Sequence, residues 1–339
     1  MGMSDFLLAK PQLPPDWLDC SVGEPHIVRD ILLNIFDVQK YELPQPEHCW
    51  EYPVPTGYQP LVKLLEDKHQ APVIITNGAK QALGASFHAL RRMGKKKLGM
   101  RTPYWALIPP LVKMHGLEPL TSYVDSDCNL LLLPNNPDGF SSRPDAVQEF
   151  ANNCKEREIP LIHDAAYYTH TYLPSDHPLD SVGDIQIYSI SKMLGLSGLR
   201  IGYVVCKNVE FYKYIQEYME AMTVGVSVVS QIFLYDLMNL MRCHRADNKK
   251  FLQQSYQSLQ DSKRIVKQID PEILEVNSDL ESTPGMFGWF KVGSKANFQE
   301  SKINLIDGAL FGVPGMVRIN LGFSAEKMEE IVRRLNSVK

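Results

Sequence analysis

The stretch Ser189-Ile190-Ser191-Lys192-Met193-Leu194-Gly195-Leu196-Ser197-Gly198-Leu199-Arg200-Ile201-Gly202 carries the reading of the whole chain. Ile185–Ser189 reads as a strand running into it, and residues 201–206 read as a strand leaving it. A lysine just past a strand, between small hydroxyl residues and glycines, fits a lysine that forms a Schiff base. In a sheltered site such a lysine loses its proton more easily and becomes a nucleophile. Arg200 stands eight residues on and can make a forked pair with a phosphate. A lysine-rich surface turn leaves the serine and glycine spacing unexplained.

Working outward, apolar strands alternate with helices from Pro72 onward. Val73–Thr76 is a β-branched run, and 78–93 reads as a helix with Ala79, Leu83, Phe87 and Leu90 on one face and Gly94 as its stop. Strands at 97–100 and 117–121 flank a helix at 106–115. A fully apolar strand follows at 130–133, then a helix at 143–157 and a strand at 160–163. This alternation predicts an α/β fold: three layers, α/β/α, around a mostly parallel mixed sheet covered on both faces. Past residue 208 the chain reads as long amphipathic helices at 210–221, 228–241 and 247–268. Strands at 286–292 and 316–321 and a helix at Ala325–Asn336 then suggest a small α+β unit. The start of the chain reads as an arm broken by prolines at 11, 14, 15, 25, 44 and 46, with one helix near 29–37.

Composition bounds the function. The chain has 339 residues, 44% hydrophobic and 22% charged, so it is long enough to bury a core without staples. A prior of ~150 residues per domain suggests two or three domains. The motifs narrow this to two: a large domain at 40–245, and a small discontinuous one from 1–39 and 246–339. The net charge of -4, from 35 basic and 39 acidic side chains, is too balanced for nucleic-acid binding. The basic cluster Arg91, Arg92, Lys95, Lys96 and Lys97 suits the end of a helix. Cys20, Cys49, Cys128, Cys154, Cys206 and Cys243 are scattered, with no metal-ligand spacing, which predicts reduced thiols and no metal. The N-terminus lacks the apolar core of a secretory signal, and no apolar run reaches the ~18 residues of a membrane span. Together these predict a cytoplasmic protein.

Four further signals sit mostly at strand ends, where open α/β sheets bind ligands. Thr76-Asn77-Gly78-Ala79-Lys80 passes from strand to helix through a glycine, and a helix N-terminus there suits a phosphate. An ordinary βα turn reads the same way. Thr102-Pro103-Tyr104-Trp105 offers aromatics that could stack on a planar ring or fill the core. In Leu133-Pro134-Asn135-Asn136-Pro137-Asp138-Gly139, Asn136 could donate an amide hydrogen bond, although Asn-Pro and Asp-Gly also form plain turns. In His163-Asp164-Ala165-Ala166-Tyr167-Tyr168, a carboxylate at the end of an apolar strand needs a cation unless it caps a helix. A protonated pyridine nitrogen would be such a cation.

All five signals in this order make the chain resemble the fold-type I pyridoxal-phosphate aminotransferases of class I/II, from about Gly23 to Arg318. The middle third is most similar to the alliinase and tryptophan-aminotransferase group. Asn136-Pro137-Asp138-Gly139-Phe140, Ser191-Lys192 through Gly202, and Tyr218-Met219-Glu220 with Thr223-Val224-Gly225-Val226-Ser227 and Gln231 carry that likeness.

The resemblance implies pyridoxal 5'-phosphate as cofactor and assigns roles. Lys192 becomes the Schiff-base lysine and proton shuttle, Asp164 the partner of the pyridinium nitrogen, and Tyr167 with Asn136 the holders of the 3-hydroxyl oxygen. Trp105, ahead of Tyr104, stacks on the ring. Gly78, Ala79, Lys80, Ser189 and Arg200 cradle the phosphate. Tyr52, in Tyr52-Pro53-Val54-Pro55-Thr56-Gly57, reaches the phosphate of a neighbouring subunit, which implies a homodimer. Arg318 grips the substrate α-carboxylate, beside Asn136 and the backbone of Gly23.

The implied reaction moves an amino group from an L-amino acid, aromatic or otherwise apolar, to a 2-oxo acid by a ping-pong route. A C–S β-lyase of cysteine conjugates would share every cofactor residue. A non-catalytic effector domain would not need both Lys192 and Arg318. The chain departs from the family in being short, in its compressed 292–318 segment, and in Asp138 where threonine is commoner. A second arginine for a dicarboxylic substrate is not evident, with Arg29 and Arg101 as the open candidates.

Overall fold

The computed structural model describes residues 13–37, 50–179, 181–276 and 280–338. Readings that concern Pro11, Pro44, Pro46, Cys49 and the boundary at residue 40 lie outside these ranges. The central sheet has seven strands: β1 (Val73–Thr76), β2 (Lys97–Gly99), β3 (Glu118–Leu120), β4 (Cys128–Leu132), β5 (Leu161–Asp164), β6 (Ile185–Ser189) and β7 (Gly202–Cys206). Their spatial order is β1-β7-β6-β5-β4-β2-β3. Neighbours from β6 to β3 run parallel, while β7 runs antiparallel to both β6 and β1. Every residue of β1, β4, β5, β6 and β7 is buried, which is why these strands read as continuous apolar runs rather than alternating ones.

A second sheet is antiparallel. It orders Ile306–Asp307, Met316–Asn320, Phe287–Val292 and Leu274–Val276, and it packs with the helix Ala325–Asn336 around a separate apolar cluster that includes Phe290, Ile319, Met328 and Ile331. Leu18–Asp19 pairs in parallel with Ile303–Asn304, tying the start of the chain to this second core. The expected mixed α/β architecture is therefore present, with a smaller antiparallel sheet beside it.

Local readings held to within a few residues at most elements. Two details differ. Helix α1 (His26–Ile35) starts earlier than the expected 29–37, and its Val28 and Leu32 enter the larger core rather than the smaller one. Helix α2 (Gln59–His69) fills a stretch to which no element was assigned. Its cues are present: a proline in its first turn, and Leu61, Val62 and Leu65 on the buried face. The prolines before it mask them.

Helix α3 (Gly78–Arg92) leaves the end of β1, and Gly202 starts β7 directly against that turn. A Cβ on Gly202 would lie 2.7 Å from the Gly78 carbonyl carbon and the Ala79 nitrogen and 2.8 Å from the Tyr188 carbonyl oxygen. All three are backbone atoms, so none can swing aside. Gly202→Ala is expected to lower stability by about 1–3 kcal/mol, measured by urea denaturation. Wild-type stability in that variant would show that the turn and β7 are not in close contact.

Candidate active site

Sheet register gathers the predicted residues at one edge. Leu132, Asp164 and Ile187 are lateral neighbours across β4, β5 and β6, while Gly202 pairs with Ser189 on one side and Thr76 on the other. The carboxyl ends of these parallel strands therefore open onto one crevice, together with the start of the antiparallel β7.

Beside β1 the crevice is built for an anion. Gly78 takes φ +72, and a Cβ there would lie 2.8 Å from Nη2 of Arg200. Arg200, itself at φ 55, bends its guanidinium back so that Nη1 donates to the Ser197 carbonyl at 3.1 Å. No side chain caps α3, so the amides of its first turn, including Ala79 and Lys80, keep their donors. The Lys80 ammonium lies 5.9 Å from the centre of the half-buried Trp105 ring. Ser189 is buried at the end of β6.

Lys192 lies in the single helical turn Ile190–Met193. Its Nζ donates to the Gly23 carbonyl, and the Tyr172 hydroxyl donates to the Lys192 carbonyl at 2.5 Å. Burial, reinforced by the positive charge of Arg318, pulls the Lys192 pKa down to about 8. A substantial fraction of a neutral, nucleophilic amine is thus present near neutral pH.

Asp164 is 3% exposed. Its carboxylate accepts the Ala166 N–H at 3.1 Å, and burial pushes its pKa up to about 7. No cation pairs with it among the described residues, although an ionised carboxylate in such a place calls for one. Tyr167 is buried next to it, edge-on to Tyr172 and Phe287 with ring centres 5.6 Å apart in each case. Burial raises its phenol pKa, and the Asn136 side chain hydrogen-bonds that phenol.

Arg318 completes the far wall. It is 4% exposed, and burial draws its pKa down to about 10. Nη1 donates to Asn136 Oδ1 at 2.8 Å, and Nη2 donates to the Ser21 carbonyl. Its guanidinium carbon stands 4.2 Å over the Phe287 ring and 5.3 Å from that of Phe311. Nε has no partner. One backbone carbonyl, the Asn136 amide oxygen and two aromatic faces hold this cation, with no carboxylate paired to it among the described residues.

The structure thus brings together Gly23, Gly78, Ala79, Lys80, Trp105, Asn136, Asp164, Tyr167, Ser189, Lys192, Arg200 and Arg318. Tyr52 stands apart, 90% exposed on the surface beside exposed Trp50 and Val54. Arg101 is taken up by Asp138 at 3.0 Å and lies over the Phe140 ring, and Arg29 pairs with its neighbour Asp30 at 2.9 Å. Phe287, Tyr172 and the Ser21 carbonyl were not anticipated. Phe287 lies within an expected strand, but nothing local marks it as the platform for Arg318.

A sequence profile described as aminotransferase class I and II matches residues 124–335. The chain belongs to that family. It is 29% identical over 271 residues to tryptophan aminotransferase-related protein 2 of Arabidopsis thaliana, covering 71% of this chain and 59% of that protein. The chain thus spans well under two thirds of that relative. It is 24% identical to the probable aspartate/prephenate aminotransferase of Aquifex aeolicus, over 78% of this chain and 74% of the other. Among solved structures, aspartate aminotransferase from Thermotoga maritima superposes with a TM-score of 0.71 at 21% identity, covering 95% of this chain and 91% of that one. The aromatic aminotransferase of Pyrococcus horikoshii gives 0.75 at 16%, covering 96% of each. These likenesses establish the fold.

The cofactor of this aminotransferase family is pyridoxal 5'-phosphate. The crevice fits it on its own geometry. Asp164 lacks a cation for a pyridinium nitrogen to supply, the Gly78 turn and Arg200 form an anion cradle without a side chain in the way, and Lys192 lies between them and Arg318.

Asp164 yields a pH signature. Its folded-state pKa stands above the ordinary carboxylate value, so the stability it contributes is complete at low pH and is lost as pH rises. In cofactor-free protein, stability is expected to fall by up to about 1.4 kcal/mol per pH unit between about 4 and about 7 from this group. Asp164→Asn should flatten that part of the profile in denaturation measured across pH. Unchanged slopes would contradict the burial of an unpaired carboxylate.

Proposed function

We propose that this protein is a pyridoxal-phosphate-dependent aminotransferase that takes the amino group of an apolar, preferentially aromatic, L-amino acid and delivers it to a 2-oxo acid in two half-reactions. The observation that carries this reading is Arg318: a buried guanidinium with an unpartnered Nε, on the same wall as Lys192 and joined to it through the strap at 21–24. A substrate carboxylate is the missing anion. Bidentate geometry would fix Cα, and a lysine could not copy that fork.

When bound, the cofactor supplies an electron sink for the pair left when the Cα proton departs. The protein does the rest. Asp164 would hold the ring nitrogen and would keep it protonated, because the buried carboxylate has no cation of its own among the described residues. Lys192 Nζ, with its lowered pKa, takes the Cα proton and returns a proton on the way to product. Asn136 ties Arg318 to Tyr167, so the carboxylate grip and the phenol move as one unit. Phe287, Phe311 and Tyr167 shut water away from these groups.

The aromatic preference rests on those rings and on the tryptophan aminotransferase-related names of relatives. Arg101 gives Nη2 to Asp138, while its buried Nη1 has no partner. The aminotransferase names also favour transamination over C–S lysis.

The same reading makes the protein a homodimer, with exposed Trp50, Tyr52, Val54 and Met222 covered by a second copy and Tyr52 serving its site. It keeps the division into 40–245 and 1–39 with 246–339, except that helix α1 packs its Val28 and Leu32 into the larger core. A cytoplasmic location fits the free thiols of the five described cysteines, and no described helix is long and apolar enough to cross a membrane.

Two substitutions test the reading. Lys192→Ala should abolish the yellow absorbance of the purified protein and lower turnover at least about a thousandfold. Arg318→Lys should raise KM for amino acids about tenfold or more while colour persists, since only the fork is lost. Full turnover in Lys192→Ala would exclude the assigned chemistry. An unchanged KM in Arg318→Lys would place the carboxylate elsewhere. Pyruvate and ammonia release from a cysteine conjugate, without amino transfer, would favour the lyase.

A further inference from the structure

A cavity of about 1060 Å³ lies away from Lys192, between the 170–175 segment and the junction of the helices Val228–Cys243 and Arg245–Val266. None of the residues assigned to the active site lines it. Its volume is at the upper end of the ~300–1,000 Å³ of small-molecule sites.

Its charge is unlike that of the rest of the chain. Arg242, Arg245 and Lys249 line it, and no aspartate or glutamate does, although the chain as a whole carries a net charge of -4. None of the three cations is ion-paired with another described residue. The nearby Asp247 turns to His244 at 3.6 Å. The walls include Leu173, Leu252 and Tyr256, which are apolar and partly or fully buried. Asn248 also lines the cavity, and its buried Oδ1 accepts no hydrogen bond. The lining therefore calls for an anion to meet the three cations, a flat or branched apolar body to cover the walls, and one N–H or O–H donor for Asn248.

Two lining residues neighbour, along the chain, residues that pack toward the catalytic crevice. Leu173 follows Tyr172, whose hydroxyl holds the Lys192 carbonyl. Leu259, one helical turn past Tyr256, packs with Tyr167, Tyr172, Met286 and Phe287.

We propose that this cavity is a second binding site, for an amphipathic organic anion that carries a hydrogen-bond donor beside its ring.

Anilinonaphthalene sulfonate has this chemistry: a sulfonate, fused rings and a bridging N–H. Titrated into the cofactor-loaded protein and followed by fluorescence, it should bind saturably. Phenylnaphthylamine, which lacks the sulfonate, should bind about tenfold more weakly to the same wild-type protein. Arg245→Glu combined with Lys249→Glu, both exposed positions, should also weaken the sulfonate about tenfold. Lys95→Glu with Lys96→Glu makes the same charge change elsewhere and should leave affinity as it is. The proposal is overturned by absence of saturable binding, by equal affinity for the charged and neutral probes, or by equal losses in the two charge-reversed proteins.

Discussion

One short strap of backbone holds the site together. The carbonyls of Ser21, Val22, Gly23 and Glu24 receive hydrogen bonds from Arg318, Asn320, Lys192 and again Asn320. The Asn320 N–H donates to the Cys20 carbonyl, and the Ile27 N–H to that of Gly322. Lys192 sits in the helical turn just past a strand of the large sheet, and Arg318 belongs to a strand of the small one. The strap is what sets their separation. Its acceptors are neutral dipoles, so both cations are solvated without being neutralised. A carboxylate in the same place would have stabilised the empty site and left nothing for a substrate to do.

The same economy recurs in the buried charges. Lys192 and Arg318 are pulled toward neutrality by burial, and Asp164 is pushed toward protonation. Each is an ionisable group whose surroundings oppose its charge. Tertiary structure forces this arrangement at a cost in stability, because the apolar body around it is large enough to tolerate it. The Lys192 and Asp164 values move toward neutral pH from opposite sides, the range that suits a group that exchanges protons, whereas Arg318 keeps its charge there. Phe287 belongs to this scheme too: its ring face meets the Arg318 guanidinium, its edge meets Tyr167, and a Cβ on Gly23 would come 3.1 Å from it.

Much of this was legible in the sequence, for a physical reason. Residues at the carboxyl ends of strands that run in the same direction through one sheet converge whatever their spacing along the chain, so the strand pattern alone brings Gly78, Asp164, Ser189 and Lys192 to one crevice. The glycines at 78 and 202 stand where a side chain has no room, Gly78 at positive φ under the Arg200 guanidinium and Gly202 with backbone against it. Phe287 and Tyr172 were not legible, since an aromatic in a strand or after a tyrosine pair looks like any core residue. Their roles arise from contacts with Lys192 and Arg318 some twenty to thirty residues further along the chain, which carry no local periodicity. Helix α2 was missed because prolines at its entrance outweighed a sparse apolar face. The pairing of Arg101 with Asp138 was equally invisible, though both residues had been singled out separately.

The strap also bears on how the protein is made. Leu18–Asp19 pairs with Ile303–Asn304, and residues 20–27 lean on 318–322. During synthesis the seven strands from Val73 to Cys206 are complete while these partners have yet to be translated. A nascent chain thus carries an assembled sheet, with Lys192 on it, alongside an early segment whose apolar Leu18 and Cys20 have nowhere to go. The first residues out of the ribosome are among the last to find their places, and closing so long a loop falls at the end of folding. In a cell that interval is when chaperones and proteases meet the protein, and the catalytic crevice is the part still unfinished.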